Sequence, residues 1–454
     1  MTAEIALLNK LAVTLAADSA VTIGGGAGTK IYNSADKIFE GTNYDPIGIM
    51  VYNSPELSGV PVESIVKMFR DRVCVSHYAT VFDFSEAFLK HLEEIETPDV
   101  TINSNIRSLI AAKLIGLRGA IQAITDEFFR TLSSAENPTV EGALEALEES
   151  IISYLDSELG RVSSLPAREW SDGITKDDVI EAHGDSISEF IDAVFEDDPP
   201  SVERKVRLVD ILSWSLLREF QKSELTGLVF AGFGQNEIFP SLAAYEIYGT
   251  IAGRLKFVET AHFDVDRKLV PDAVVIPFAQ KEMVDRFMYG LDSEFLEVCH
   301  TYFSGALGKL KDNLDELLAG DETGVSDAVH PAVDAILGEF QSEVVPGHLN
   351  RLQKEFSDMV RSMPKQELAA LSESLVHITS LKRKFSTAAE SVGGPIDVAM
   401  ITRAEGFVWV KRKHYFDPAL NPRYFFRHYG HGIEKRPVGI PDADAITGSE
   451  AHGA

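Results

Sequence analysis

Strand-type sequence falls into three widely separated blocks, so any sheet the chain builds must be assembled across long intervals of other structure. The first block begins almost at residue one. Ala3 to Ala17 (AEIALLNKLAVTLAA) holds two short apolar runs joined at Asn9-Lys10, the pattern of a hairpin with mostly buried strands. Short strand-like stretches and a turn at Gly41 to Pro46 follow, then IGIMVYN from Ile47 to Asn53. The second block runs from TGLVFAGFG (Thr226 to Gly234) through SLAAYEIYGTIAGRLKFVE to DAVVIPFA (Asp272 to Ala279). The third, IDVAMITRAEGFVWVKR, follows Gly393-Gly394-Pro395 and reads as two strands around a turn at Ala404 to Gly406.

The intervals are helical. After Pro61, the spacing of Val62, Ile65, Val66 and Phe69 predicts a helix with one apolar face. Residues 76–222 read as almost wholly helical, broken at Glu196 to Pro200, and residues 293–390 are helical again. The expected division is a strand-bearing core from 2–75, 226–292 and 391–414, a helical insertion at 76–222, a helical segment at 293–390, and an irregular tail at 415–454. Strand blocks parted by helix blocks predict an α+β arrangement, two layers of sheet with helices outside, rather than a doubly wound parallel sheet.

Composition narrows the function. A net charge of −28 argues against nucleic-acid partners, because phosphate repels an acidic surface. Between Lys382 and Arg436, however, eleven Lys and Arg stand against five acids, so a basic face is available for self-association. No uninterrupted apolar run approaches the roughly 20 residues of a membrane span, and MTAEIALLNK lacks the features of a secretory signal. Two cysteines, Cys74 and Cys299, supply no disulfide framework. A cytoplasmic protein without a membrane partner is therefore expected. The glycine run GGGAGTK lacks the spacing of a phosphate loop, and His414, His428 and His431 lack acidic or cysteine partners. Neither cofactor nor metal is expected.

Three residues near the start form a pattern: Thr2, Asp18 closing the second strand in TLAADSAVT, and Lys37 ahead of an apolar-aromatic pair in KIFEG. Lys30 lacks that following pair and is the weaker candidate for the lysine. Together with SVGGPIDVAMITRAEGF, this pattern resembles the proteasome β-subunit family, including its bacterial and ancestral types, over residues 2–72, about 226–290 and 391–412. The resemblance implies an N-terminal nucleophile (Ntn) hydrolase fold, a four-layer αββα sandwich of two antiparallel sheets, here with large helical insertions. It implies a threonine-type peptidase acting on a peptide or polypeptide in an oligomeric ring, with an unfoldase or other protein as a further partner.

The chemistry makes the same demand. A threonine hydroxyl needs a base, and a free α-amine on the same residue, with an ordinary pKa near ~8, can serve once Met1 is removed. A lysine ammonium beside the hydroxyl favours its alkoxide, and a carboxylate keeps that lysine charged and placed. Lys37 and Asp18 suit these roles. Backbone N–H groups of the strand ending at Asn53, where the family usually has glycine, are candidate oxyanion donors. An extended substrate is expected between Ser19 to Thr22 and Tyr52 to Ser54.

The match departs from the family pattern at its supporting residues. The Asp and Ser that polarise the terminal amine fall at Ala389 and Val392, with Glu390 and Ser391 adjacent, and no serine follows VVIPFAQ, leaving Gln280. Two further readings follow: a noncatalytic ring or scaffold subunit, and an amidase acting on a small amide.

Overall fold

Apolar residues at consecutive strand positions fit only a sheet covered on both faces. Strands β1 (Ala3–Asn9) and β2 (Ala12–Ala17) are buried at every residue and pair antiparallel about Lys10 and Leu11, as the hairpin pattern predicts. The computed structural model of the protein describes residues 3–23, 30–42, 44–73, 76–132, 140–220, 225–265, 272–290, 293–317, 325–385 and 393–429.

Strands β3 (Val21–Ile23) and β4 (Lys30–Tyr32) form a two-stranded ribbon, and β5 (Ile38–Glu40) pairs with β6 (Ile47–Asn53). The short β7 (Glu56–Leu57) and β8 (Val60–Pro61) lead into helix α1 (Val62–Arg72), whose buried face is Val62, Ile65, Val66 and Phe69. Helices α2 (Val81–Glu93), α3 (Asp99–Leu132), α4 (Val140–Ser163), α5 (Lys176–Val194) and α6 (Val202–Arg218) fill the first interval. Strands β9 (Thr226–Gly232), β10 (Ser241–Ile251), β11 (Arg254–Asp264) and β12 (Ala273–Ala279) follow. After them come helices α7 (Glu282–Tyr289), α8 (Ser293–Leu317), α9 (Val325–Glu339), α10 (Val345–Arg361) and α11 (Lys365–Lys384), then β13 (Asp397–Thr402) and β14 (Gly406–Lys411).

Two antiparallel sheets of five strands result, in the orders β12-β1-β2-β13-β14 and β11-β10-β9-β6-β5. The first sheet draws on all three strand blocks. Strand alternation sorts the side chains into layers. Ala6, Leu8, Val13 and Leu15 of the first sheet share one apolar cluster with Met50, Tyr52, Val229 and Leu242 of the second. The outer faces are covered by helices. Ile5, Leu7 and Ala16 cluster with Val284, Val360, Leu368 and Val376 of α7, α10 and α11, and Ile47, Ile49 and Phe230 with Ile65, Phe69, Phe84 and Phe88 of α1 and α2.

The first helical interval is continuous with this core. Ile106, Leu109 and Leu114 of α3, Ile151 of α4, Ile187 of α5 and Leu212 of α6 belong to the same cluster as the layer between the sheets. Helix α3 is long and apolar enough, by length and composition, to cross a bilayer, with mean hydropathy 1.2 over its best window, where the sequence predicts no such segment. Its apolar residues do not form one uninterrupted run; Ile106, Leu109, Ile110, Leu114, Leu117 and Ile121 form a buried stripe, and α3 packs on α5, α6 and β10.

One cation is enclosed where α6 ends. Lys256 of β11 is 1% exposed; its Nζ donates to the carbonyls of Leu216 at 2.8 Å and Glu219 at 2.6 Å, and lies 5.2 to 5.7 Å from the ring centres of Trp170, Phe220 and Tyr248. Burial lowers its pKa from 10.5 to about 7, against the upward pull of Glu219 and with a further downward push from Arg168. Between those pH values the unfolded chain holds a proton that the folded chain has released. Stability from this group therefore rises from pH 7 towards 10.5, by at most on the order of 5 kcal/mol, and is level below 7. Urea unfolding of the Lys256→Met variant from pH 7 to 10 is expected to lose that rise relative to the parent. Parallel curves would remove Lys256 as its source.

Residues from Lys413 onwards form a second unit. The sequence predicts an irregular tail there, yet helix α12 (Pro422–Tyr429) forms within it. Asn421-Pro422 is the local cause, a capping residue type followed by a proline whose fixed φ suits a first helical turn.

Candidate functional site

The first turn after β2 is organised by one carboxylate. Asp18 is 1% exposed; its Oδ1 accepts the Ala3 N–H at 3.2 Å and the Lys37 ammonium at 2.5 Å. Its Oδ2 accepts the N–H of Gly393 at 2.8 Å and, as an Asx turn, that of Ala20 at 3.4 Å. The structure thus brings Asp18 and Lys37 together at the head of β1. Lys37 is buried while Lys30 is exposed, so the lysine expected from the sequence is the one that reaches the carboxylate.

A third member of the cluster has no counterpart in the sequence pattern. Glu4 is 1% exposed, and its Oε1 lies 3.1 Å from Lys37 Nζ. One ammonium therefore stands between two buried carboxylates. The signal was present in the sequence: a period of two places Glu4 with Ala6 and Leu8 on the face of β1 that meets the other sheet, where an acid needs a partner.

Ser19, expected beside an extended substrate, fastens the frame. It is fully buried, its N–H donates to Gly393 O at 3.1 Å, its hydroxyl to Pro395 O at 2.5 Å, and its carbonyl accepts from Ala35 N at 3.1 Å. Both of its donors are thereby used within the chain. Thr22 sits in β3 opposite Ile31 of β4; its side chain lies outside the described residues. Thr2, Glu390 and Ser391 also lie outside them.

Asn53 ends β6 with φ of +64°, in the left-handed region. Glycine takes that conformation freely, and asparagine is among the few other residues that do so often. Val51 N–H donates to Lys37 O at 2.8 Å, and Ser54 N–H faces the opposite edge, donating to Leu225 O at 3.3 Å. By strand alternation the Asn53 N–H is directed to the Lys37 edge, one ladder step beyond the end of β5. At the end of β12, Ala279 pairs with Ala3, and the next residue, Gln280, is buried. Gln280 Oε1 accepts from Arg383 Nε at 2.6 Å, while its Nε2 has no hydrogen-bond partner among the described residues.

A hollow of about 150 Å³ opens beside this cluster, lined by Val21, Lys37, Phe39, Val51, Asn53 and Pro55, among others. Tyr52 closes the sheet beneath it. Burial, then the neighbouring Glu246, pushes its hydroxyl well above the usual tyrosine range, so it stays protonated near neutrality. The ring stacks on Phe278, centroids 5.2 Å apart, and lies over Gly227, its cross-strand partner. A Cβ on Gly227 would sit 2.1 Å from the Tyr52 ring, so only glycine fits there. Among the described residues no group of His, Cys, Asp and Glu is arranged to hold a metal. The chain matches no protein-family model, and no curated protein matches it.

Proposed function

We propose that the chain is a threonine-type peptidase of the proteasome-like N-terminal nucleophile class, with Thr2 as nucleophile once Met1 is removed. One observation carries this reading: a buried lysine held at 2.5 Å by Asp18, which also grips the N–H of Ala3, the residue covalently joined to Thr2. The paired antiparallel sheets with helices on both outer faces are the architecture this reading requires. Asn53 at φ +64° supports it further, since it stands where the family usually has glycine.

In the proposed reaction the α-amine of Thr2 takes the proton from its own hydroxyl, and Oγ attacks the substrate carbonyl carbon. The Lys37 ammonium favours the alkoxide, and Asp18 with Glu4 holds that ammonium in place. The Asn53 N–H is the oxyanion donor, an interaction of ~3 kcal/mol when preorganised. Collapse of the adduct breaks the C–N bond, the proton passes from the α-amine to the leaving amine, and an ester to Thr2 remains. Water activated by the same amine hydrolyses it. Gln280, whose amide N–H₂ has no partner among the described residues and stands beside the head of β1, fits the supporting position that the family fills with serine. Assembly into a ring in the cytoplasm belongs to the same reading.

The small volume beside Lys37 favours a second reading, an amidase acting on a small amide. Intact mass of the purified chain before and after a hydroxyl-reactive β-lactone tests both. Loss of Met1 with one adduct on Thr2 is expected. Retained Met1, or a processed chain that never takes the label, would leave a noncatalytic subunit as the better account.

A further inference from the structure

The hollow beside Lys37 does not end at its own walls. A larger cavity of about 560 Å³ shares Val21, Ser54 and Pro55 with it, so the two adjoin across the end of β6. The smaller volume lies below the usual range of ligand sites, while the larger lies within it. One wall of the larger cavity is the start of β9 and the end of β10, with Thr226 and Ile247 to Gly249; the β7–β8 turn forms another. The remaining wall is α3, which belongs to the helical interval and to neither sheet.

Helix α3 presents Thr101, Ser104, Asn105 and Ser108 to this cavity, four polar residues at the spacing of one helical face. Further along α3, Thr125 and Thr131 turn their hydroxyls back to the carbonyls four residues earlier, the ordinary fate of a helical hydroxyl. Among the described residues the hydroxyls of Thr101, Ser104 and Ser108 make no such bond, and all three residues line the cavity. Asn105 is fixed, its Nδ2 donating to Tyr248 O at 2.8 Å, which leaves its Oδ1 as an acceptor. That contact requires glycine at 249, where a Cβ would lie 1.9 Å from Asn105 Nδ2. The helix is thus pinned to β10 by a neutral amide.

Among the described residues the only charged side chain on the cavity wall is Glu56. Hydroxyls, one amide oxygen and one carboxylate suit a neutral polar or cationic group, and they penalise an anion, which would face Glu56 without a counterion. We propose that this cavity is a substrate subsite: a peptide reaching the Lys37 hollow extends through it, and α3 selects a neutral polar or basic residue there over an acidic one. This deepens the peptidase reading and rests on it, and it gives the helical interval a role in specificity.

The test separates the two. Calorimetric binding to the Thr2→Ala chain uses acetylated, amidated tetra-alanine peptides in which Asn, Lys or Glu replaces each Ala in turn, while wild-type chain is labelled with β-lactone in parallel. Asn and Lys peptides are expected to bind and Glu peptides not to. Ser104→Leu and Ser108→Leu, which fill the cavity from exposed and half-exposed positions, each weaken binding by at least roughly tenfold, the loss expected for a hydrogen bond or two. Ser104→Thr, which keeps the hydroxyl, retains most of it. Equal binding of Glu peptides, no binding at all, or leucine variants that bind like the parent would overturn the subsite, whatever the lactone does. Labelling that fails while peptides bind with this pattern overturns the nucleophile and leaves the cavity as a peptide-binding site.

Discussion

The Lys37→Ala chain is expected to lose lactone labelling at Thr2 by at least ~10³-fold, and to lose stability as well. Removing the ammonium leaves Asp18 and Glu4 facing one another, both buried and without their cation. Breaking a buried pair in this way costs on the order of 3 to 5 kcal/mol, so the single variant confounds catalysis with folding. Neutralising the whole cluster separates them. A Glu4→Gln, Asp18→Asn, Lys37→Met triple variant removes every charge together and is expected to recover most of the unfolding midpoint in urea while remaining unlabelled. Lys37→Arg keeps the charge but not the compact head group, and it too is expected to label poorly. Labelling at the parent rate in a folded Lys37→Ala chain would remove the lysine from the proposed chemistry.

Gly227→Ala is the second change with a large expected effect, although it adds a single carbon. That carbon falls within the Tyr52 ring, 2.1 Å from Cζ and 2.2 Å from Cε1, and the ring is also stacked on Phe278. Overpacking of this kind costs roughly 3 kcal/mol. The displacement acts on the residue immediately before Asn53, so the labelling rate is expected to fall with the stability. A double-mutant cycle with Tyr52→Leu isolates the cause: in that background the alanine has room, and its cost is expected to shrink to about 1 kcal/mol or less. An unchanged cost in both backgrounds would place the strain elsewhere.

How far the sequence discloses this arrangement depends on the range of the contacts involved. The β1–β2 hairpin and the buried face of α1 are written in local periodicity, and they form where it places them. Asp18 and Lys37 are legible as a set because each closes or opens a local element. Glu4 is equally local, yet it reads as an ordinary strand residue until the alternation of β1 is followed to its inward face. The cavity is not legible at all. Its polar wall comes from α3 and its floor from β9 and β10, more than a hundred residues apart, and nothing in the periodicity of α3 states what its hydroxyls will face. Ser19 is likewise only half legible: the sequence places it along an extended substrate, and nothing local announces that its N–H and hydroxyl go to residues 393 and 395.

That last contact sets an order on the birth of the protein. Strand β13 lies between β2 and β14, and the turn before it delivers the Gly393 N–H to Asp18 and two carbonyls to Ser19. A ribosome makes Asp18 more than 370 residues before it makes these partners. Closing so long a loop is slow compared with forming the helices made in between. Until β13 docks, β2 is an open edge and Asp18 Oδ2 lacks the Gly393 N–H, so a growing chain carries an unfinished cluster at least until residue 393 is made. On the proposed reading, Thr2 would gain its full Asp18–Lys37 support only after β13 has been made and has docked beside β2.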